Sequence, residues 1–519
     1  MINIPVFGEL SFACEQENKA AKVIRIENAA AEYFEKYCTA LEQDGFLQKE
    51  FYKKENRAFA AYEKEGTGVF INAFYKTDEL QLVVEEDSAY FRYADNKGEP
   101  IVTPQVTQVM LTDYGLSYVI RLSDGRFVVI DGGSRVEAEA EALYNCLKQQ
   151  AVSEIPVIAA WIMTHPHSDH FYCFFPFMER FGELVKIEKF LFNFPEGGDY
   201  THFPDLQSVC SSFPGCLDGD VVQMFRNQLQ QMGIPVYVPH TGQCYPVGDT
   251  VLQFFASMDD SIFCTKNINA SSLMFATEIA GQNILWTGDG SFSDTRLPDR
   301  YGEELKADIL QIPHHGFGCG TEEAQIRGYR LIAPRICFLP ASHSEAYTTF
   351  TTYREGTNYL MTRQNVQEMI TGKAQRTLTL PYEPSPSGAY EMQQLYLQGR
   401  DNAGARTWIF TDLQAACEED YLFTLLNTTY LPAEISIDLY FEGKTVESHL
   451  RKTKSPRRGF ARIHCAFVSA DPEESFNLPQ YLESKGISRD ARFAVRFISN
   501  IPVVISHSRK TPAYQSNIV

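Results

Sequence analysis

Three histidines and an aspartate fall within six residues of the stretch Trp161 to His170 (W-I-M-T-H-P-H-S-D-H): His165, His167, Asp169 and His170. Imidazole nitrogens and carboxylate oxygens are the natural ligands of borderline divalent cations. Imidazoles two residues apart at a strand end point the same way, so His165 and His167 can grip one cation. Asp169 and His170, on the turn that follows, face a neighbouring position and suit a second. A solvated loop that happens to be rich in histidine is the bland alternative. Four ligand-type side chains in this order are a demanding pattern for it.

The elements that must position these residues are legible on both sides. Ile155 to Met163 (I-P-V-I-A-A-W-I-M) is apolar and β-leaning, the pattern of a buried strand, and F-Y-C-F-F-P-F-M-E-R opens a helix. The four residues therefore sit on a loop at a strand's C-terminal edge, where α/β folds commonly place chemistry. Upstream, V-T-Q-V-M-L, Y-V-I-R-L and F-V-V-I-D-G-G read as successive strands between Val106 and Gly133, with a Ser-Asp-Gly turn at 123–125. Asp131 ends the last of these. It reads either as a cap for the helix 135–150 or as a brace for the loop carrying His165 and His167, and the downstream motifs favour the brace. Asp289 follows the apolar strand Asn283 to Trp286 in I-L-W-T-G-D-G, where a carboxylate can bridge two cations with its two oxygens. His314 and His315 follow another strand in A-D-I-L-Q-I-P-H-H-G-F. One should complete the second metal position; the other can hydrogen-bond a substrate oxyanion or orient its neighbour. The sequence does not separate the two.

The run T-H-P-H-S-D-H resembles the signature of the metallo-β-lactamase fold superfamily. Asp131 in V-V-I-D-G-G-S, Asp289 in T-G-D-G and the pair His314–His315 match further stretches of that pattern in order, over roughly residues 105 to 380. The resemblance implies an α/β, four-layer αββα fold. It also implies a binuclear site held by His165, His167, Asp169, His170, Asp289 and His314 or His315, with Asp131 bracing the metal loop. The ions expected are two divalent cations, zinc first from the imidazole-plus-carboxylate set, with manganese or iron as alternatives. They would activate water as the nucleophile, with Asp169 as ligand and proton acceptor.

One departure stands out. The resemblance expects a middle histidine in a P-G-H-T-like stretch after the hairpin formed by P-V-Y-V-P-H-T-G-Q and T-V-L-Q-F-F-A. This chain reads A-S-M-D-D-S-I-F-C-T-K-N-I-N-A-S-S-L-M-F instead. His202 and His240 lie elsewhere and read as surface or hydrogen-bonded histidines, leaving Asp259, Asp260 or solvent to complete the first position. The order N-x-S-S-L-M-F, T-G-D, P-H-H-G is similar to a branch that includes the hydrolase domains of competence-type DNA-uptake proteins and bacterial choline-phosphate esterases. It implies a phosphodiester-type or other small-molecule substrate. A lactone, thioester or β-lactam hydrolase is the alternative, and so is a non-catalytic sensor acting through the C-terminal part.

The rest of the chain frames this region. With 519 residues, about two to four domains are expected. No apolar run is long enough to span a bilayer, and the N-terminus lacks a secretory pattern. Twelve cysteines without C-x-x-C pairs read as reduced thiols of a cytoplasmic protein. A net charge of −20 disfavours an extended nucleic-acid surface, and no membrane partner is expected.

Residues 1–100 read as a small α+β domain, with a helix from Glu27 to Leu41 on an antiparallel sheet, its charged residues on solvated faces and no chemistry of its own. The hydrolase domain spans 101–385, with a loop at 316–321 as a rim in which Cys319 is a bystander, His343 near the site mouth, and P-Y-E-P-S-P-S-G at 381–388 as a linker or exposed excursion. Residues 400–519 alternate in short runs that read as a β-sandwich. They resemble the sensory rhodopsin transducer family, which implies a homo-oligomer that binds a partner or small ligand. Arg457, Arg458, His507 and Arg509 read either as solvated turn charges or as an anion or carbohydrate site.

Overall fold

The computed structural model describes residues 14–17, 21–86, 88, 93–95, 97–112, 115–195, 221–261, 267–318, 320–341, 366–372, 374–384, 405–414, 420–427, 433–441, 449–455, 459–465, 484, 486, 488 and 491–510. The chain divides into two compact units, Met1–Ala346 with Arg354–Met392 and Tyr347–Tyr353 with Gln393–Val519.

The first unit opens with an antiparallel six-stranded sheet. Its order is Cys14–Glu17, Ala21–Glu27, Glu79–Glu85, Thr67–Phe74, Arg57–Lys64, Leu47–Lys53. Helix Ala30–Gln43 covers one face, setting Tyr33, Phe34, Tyr37, Cys38 and Leu41 against Ile24, Ile26, Tyr62, Ile71 and Leu82. It starts three residues later than its pattern predicts, because Glu27 belongs to the strand and Asn28 turns the chain at φ 58°. It ends at Gly45 (φ 89°), whose N–H donates to Glu42 O while the Phe46 N–H donates to Leu41 O. That paired closure satisfies two of the last carbonyls and needs a left-handed residue, which glycine supplies without strain.

The sheet's other face departs from expectation. Arg57, Asn72, Glu79 and Gln81 are not solvated: none is more than 1% exposed. Asn72 donates to Thr241 O (2.7 Å), Gln81 to Asp260 (3.1 Å) and Arg57 to Glu304 (3.0 Å). Arg300 lies between Glu79 and Asp260. A polar face with period-two spacing is thus buried against the next part of the unit rather than against water.

That part is built from two sheets packed face to face. The first runs Val236–Tyr237, Phe190–Leu191, Val157–Ile162, Phe127–Asp131, Ser117–Arg121, Gln105–Gln108, Arg376–Thr379. The second runs Cys244–Val247, Thr250–Ala256, Met274–Ile279, Gln282–Trp286, Ile309–Gln311, Ile336–Leu339, Glu368–Thr371. Between them Tyr118, Ile120, Val128, Ile130 and Ile162 meet Leu252, Phe254, Phe275, Trp286, Ile309 and Phe338. Helices Glu137–Gln150, Phe174–Phe181 and Val221–Met232 cover the outside of the first sheet through Leu143, Leu147, Phe177, Phe181, Phe225 and Leu229. In the second sheet Gln282–Trp286, Ile309–Gln311 and Ile336–Leu339 are parallel neighbours. The helices that link them, Leu297–Tyr301 and Glu322–Ile332, must cross over one face. The first sheet occupies the inner face, so they lie outside, giving the four-layer αββα arrangement.

Two expectations shift in detail. Val236–Tyr237 joins the first sheet parallel to Phe190–Leu191, so the hairpin across Val247 and Thr250 uses Cys244–Val247 alone as its first strand. The start of the expected linker is not free: the Tyr382 N–H donates to Gln282 (2.6 Å) and its hydroxyl to Glu368 (2.8 Å).

The second unit is all β. Strands Ala405–Gln414 and Ala433–Phe441 pair with the first part of the long strand Arg492–Lys510, and Asp420–Asn427 pairs with its last part. Phe423, Leu425, Leu439, Val495 and Phe497 are buried. Arg457 and Arg458 lie outside the described residues, and so do His202, His343 and Cys319.

Candidate metal centre

The centre lies where the parallel strands of both sheets reach their C-terminal ends. Strand Val157–Ile162 is anchored by Trp161, whose indole N–H donates to Asp131 O at 2.9 Å. Asp131 ends its own strand in the left-handed region (φ 51°) and is fully buried. Its Oδ1 accepts from the Thr164 N–H (2.7 Å), and its Oδ2 accepts from Thr164 Oγ1 (2.6 Å) and His170 Nδ1 (2.7 Å). It does not cap the helix Glu137–Gln150, which begins after Val136. Asp131 therefore touches the loop at Thr164 and His170, not at the rings of His165 and His167.

The single helical turn Ser168–Phe171 carries Asp169 and His170. Phe171 pins it by packing on Phe194 and Phe225, with ring centroids 5.4 and 5.6 Å away. The Gly132 N–H closes the other side by donating to His170 O at 2.8 Å.

Gln311 holds the loop of the second sheet. Its Oε1 accepts from the Thr287 and Gly288 N–H groups, both at 2.8 Å, and its Nε2 donates to Gly288 O at 3.1 Å. Gly288 (φ 52°) leaves no room for a side chain: a Cβ there would stand 3.0 Å from Thr164 Cβ and 3.1 Å from Ser272 Cβ. This clamp presents Asp289, whose N–H donates to Ser272 Oγ at 3.1 Å. His314 and His315 both have φ of 52°, a reversal that two consecutive L-residues adopt only under tertiary constraint.

The six ligand-type residues fall into two groups that share Asp289. His165, His167 and Asp289 form one; Asp169, His170, Asp289 and His315 form the other, with the ligand atoms of each group within 4.8 Å of one another. His170 Nε2 stands 3.3 Å from Asp289 Oδ1 and 3.6 Å from Asp169 Oδ2. His315 Nε2 stands 3.1 Å from Asp169 Oδ2 and 3.4 Å from Asp289 Oδ2, and His165 Nε2 3.8 Å from the same Oδ2. The outer nitrogens are committed elsewhere, His170 Nδ1 to Asp131 and His315 Nδ1 to Pro340 O at 2.8 Å. Both rings therefore turn Nε2 inward, with the outer hydrogen bond fixing the ring as metal-site histidines require.

The pair 314–315 separates in space. His315 belongs to the second group, whereas His314 Nε2 accepts from Asn269 Nδ2 (3.2 Å) and lies 4.0 Å from Asp289 Oδ2, a quarter exposed.

Electrostatics in the pocket fit a cation. Burial pulls His170 and His315 down, but Asp289 and Asp169 outweigh it: His170 is held well above the usual imidazole range and His315 is pushed up to about 10. Burial raises Asp169 and Asp289, and the facing imidazoles outweigh it, holding both carboxyls below their ordinary range. Burial, then His170 and His167, take His165 well below its usual value, and burial lowers His314 too. His165 Nε2 is buried without a hydrogen-bond partner, and Asp289 Oδ1 has only the ion-pair contact with His170 Nε2 at 3.3 Å. An orphaned atom costs roughly 1–3 kcal/mol, which a bound cation removes as it replaces the protons on the facing imidazoles. The donor set and the orphaned atom thus fit divalent cations.

Neither Asp259 nor Asp260 completes the first position. Asp259 accepts from His240 Nδ1 (2.9 Å) and Ser257 Oγ (2.7 Å); Asp260 accepts from Thr241 Oγ1 (2.6 Å) and pairs with Arg300. Both are consumed at the boundary with the N-terminal sheet. His240, fully buried, sits between Asp259 and Glu85. Asn269 and Ser272 build the site from within the N-x-S-S-L-M-F stretch, which gives them no role of their own, and Gln311 builds it from outside every motif. Gln311 carries a signal, a lone amide inside the apolar run D-I-L-Q-I-P.

The family model described as Metallo-beta-lactamase superfamily matches residues 111–252, which contain Asp131 and the 165–170 loop and end before Asp289. No curated protein matches. Among solved structures, CmlA, a diiron beta-hydroxylase from Streptomyces venezuelae, is similar at 12% identity over 70% of this chain and 73% of its own, with a TM-score of 0.28. The peroxy diiron species of the chemotaxis sensor ODP is similar at 12% identity over 59% of this chain and 94% of its own, TM-score 0.23. The Anabaena sensory rhodopsin transducer is similar at 18% identity over 21% of this chain and 92% of its own, TM-score 0.16. Residues 111–252 of this chain are a metallo-beta-lactamase superfamily domain.

Proposed function

We propose that this chain is a metal-dependent hydrolase acting on a phosphodiester-type substrate. In this reading His165, His167 and Asp289 hold one divalent cation, and Asp169, His170, His315 and Asp289 hold a second. The observation that carries it is the sharing of Asp289 between two ligand groups, with His165 Nε2 buried and without a hydrogen-bond partner. Zinc suits the imidazole and carboxylate donors best, with manganese and iron as alternatives. Such cations, when bound, bring the pKa of water to about 7 and offset the charge that grows on an attacked oxygen.

The chain's own residues do the rest. Asp169 is 16% exposed, so its carboxylate can take a proton from water arriving at the site. His314, held neutral by burial and a quarter exposed, is left to bind a substrate oxygen. Asp131 acts through Thr164, which it holds by two hydrogen bonds, and through His170, whose proton it keeps on the outer nitrogen. The preference for phosphodiesters rests on the order N-x-S-S-L-M-F, T-G-D, P-H-H-G. A cytoplasmic location is supported by the scattered cysteines, of which Cys38, Cys146, Cys173, Cys244 and Cys337 are unbridged. Among the described residues no helix is long and apolar enough to cross a membrane. The net charge of −20 argues against an extended nucleic-acid surface, and the C-terminal unit is the candidate for self-association.

The test is turnover of a bis-aryl phosphate beside a lactone, a thioester and a β-lactam. Asp169→Ala and Asp289→Ala should abolish turnover while leaving far-UV circular dichroism unchanged. Full activity in either variant after metal analysis refutes the assignment, and preference for an acyl substrate refutes the phosphodiester reading.

A further inference from the structure

The first cation position has two imidazoles and one carboxylate but lacks a third protein ligand of its own. No histidine fills the gap among the described residues: His240 is spent on Asp259 and Glu85, and His314 Nε2 faces Asn269. What stands on that side is the short turn Ile268–Ser271. Asn267 Oδ1 caps it by accepting from the Asn269 N–H at 2.9 Å. The turn is stitched to both halves of the centre. The Leu273 N–H donates to Thr164 O (2.9 Å), and Ser272 Oγ accepts from the Asp289 N–H (3.1 Å).

Asn269 is 8% exposed. Its Nδ2 donates to His314 Nε2 at 3.2 Å, while its Oδ1 is buried with no hydrogen-bond partner. His165 Nε2 is orphaned in the same way. Asp289 Oδ2 lies 3.8 Å from His165 Nε2 and 4.0 Å from His314 Nε2, the nitrogen to which Asn269 Nδ2 donates. A buried carbonyl without a donor is uncommon and calls for a ligand.

We propose that Asn269 Oδ1 is the third protein ligand of the cation held by His165, His167 and Asp289. This rests on the two-cation reading above and deepens it. An amide oxygen is a harder and weaker donor than imidazole. The first position therefore binds its cation less tightly than the second, and the two fill in order.

Metal-free full-length protein titrated with Co²⁺, followed by visible absorption and by equilibrium dialysis with elemental analysis, tests this. The wild type should take two Co²⁺ per chain in two steps, separated about tenfold or more in Kd. Asn269→Leu should keep the tight step and weaken the other by about tenfold or more, the scale on which site partners act. Asn269→His should tighten the weak step by about tenfold, and His314→Ala should leave both steps within about threefold of wild type. Two unchanged steps in Asn269→Leu, no gain in Asn269→His, or a loss in His314→Ala equal to that of Asn269→Leu overturns the assignment. Uptake of fewer than two Co²⁺ by the wild type overturns the two-cation reading itself, whatever the variants do.

Discussion

Asp131→Asn isolates the contribution of one buried carboxylate to the second cation position. Asp131 receives three hydrogen bonds, from the Thr164 N–H (2.7 Å), Thr164 Oγ1 (2.6 Å) and His170 Nδ1 (2.7 Å). Asparagine keeps Oδ1 for the Thr164 N–H but places an NH₂ where Oδ2 accepted two donors. Thr164 can rotate its hydroxyl; His170 must move its proton from Nδ1 to Nε2. Nε2 is the atom that stands 3.3 Å from both Asp289 Oδ1 and His315 Nε2, so the proton now blocks the inward lone pair. A charge-assisted hydrogen bond contributes about 1.5–3 kcal/mol net, and every 1.4 kcal/mol is tenfold. The variant should therefore lose about 10- to 100-fold in affinity at the second position, in line with other residues that orient metal ligands. Chelator competition with Zn²⁺, read beside a thermal melt, measures this. Affinity within about threefold of wild type, with an unchanged melt, would refute the reasoning. Asparagine is preferred to alanine because alanine also strips the partner from the Thr164 N–H.

Two further outcomes concern the boundary between the N-terminal sheet and the double-sheet part. Arg300 is 2% exposed between Glu79 and Asp260, so Arg300→Met leaves Asp260 buried without its cation, while Glu79 keeps Arg25 and Arg296, and should cost about 3–5 kcal/mol in urea unfolding; wild-type stability would contradict the burial described here. Burial pulls His240 down, but Asp259 and Glu85 outweigh it and raise it to about 10, against about 6.5 in an unfolded chain. A raised imidazole stabilises fully below pH 6.5, and that stability is lost as pH rises towards 10. His240→Gln should flatten the fall in urea midpoint between pH 7 and 10, whereas an unchanged slope would show that His240 does not carry it.

What the sequence discloses and what it hides differ by the distance over which the cause acts. The cluster His165, His167, Asp169, His170 is local, and its strand-to-turn setting follows from the apolar run I-P-V-I-A-A-W-I-M beside it. Gly45 marks the helix end for a similarly local reason. His314 and His315 are indistinguishable as letters. Their roles part because both residues are left-handed and because Pro340, 25 residues on, claims His315 Nδ1. The polar face of the N-terminal sheet looks solvated because period-two alternation is the same whether water or protein lies beyond it. Its partners Thr241, Asp260 and Glu304 are 169 to 247 residues away. That same surface removes Asp259 and Asp260 from the metal site. Asn269 opens the N-x-S-S-L-M-F stretch without a role of its own there, since an amide signals a ligand only when its oxygen is seen to be orphaned.

Anomalous diffraction from crystals saturated with Zn²⁺ bears most directly on the central claim. Two peaks about 3.5–4 Å apart are expected, one between His165 and His167, the other among Asp169, His170 and His315, with Asp289 between them. One peak, none, or peaks away from Asp289 would contradict it.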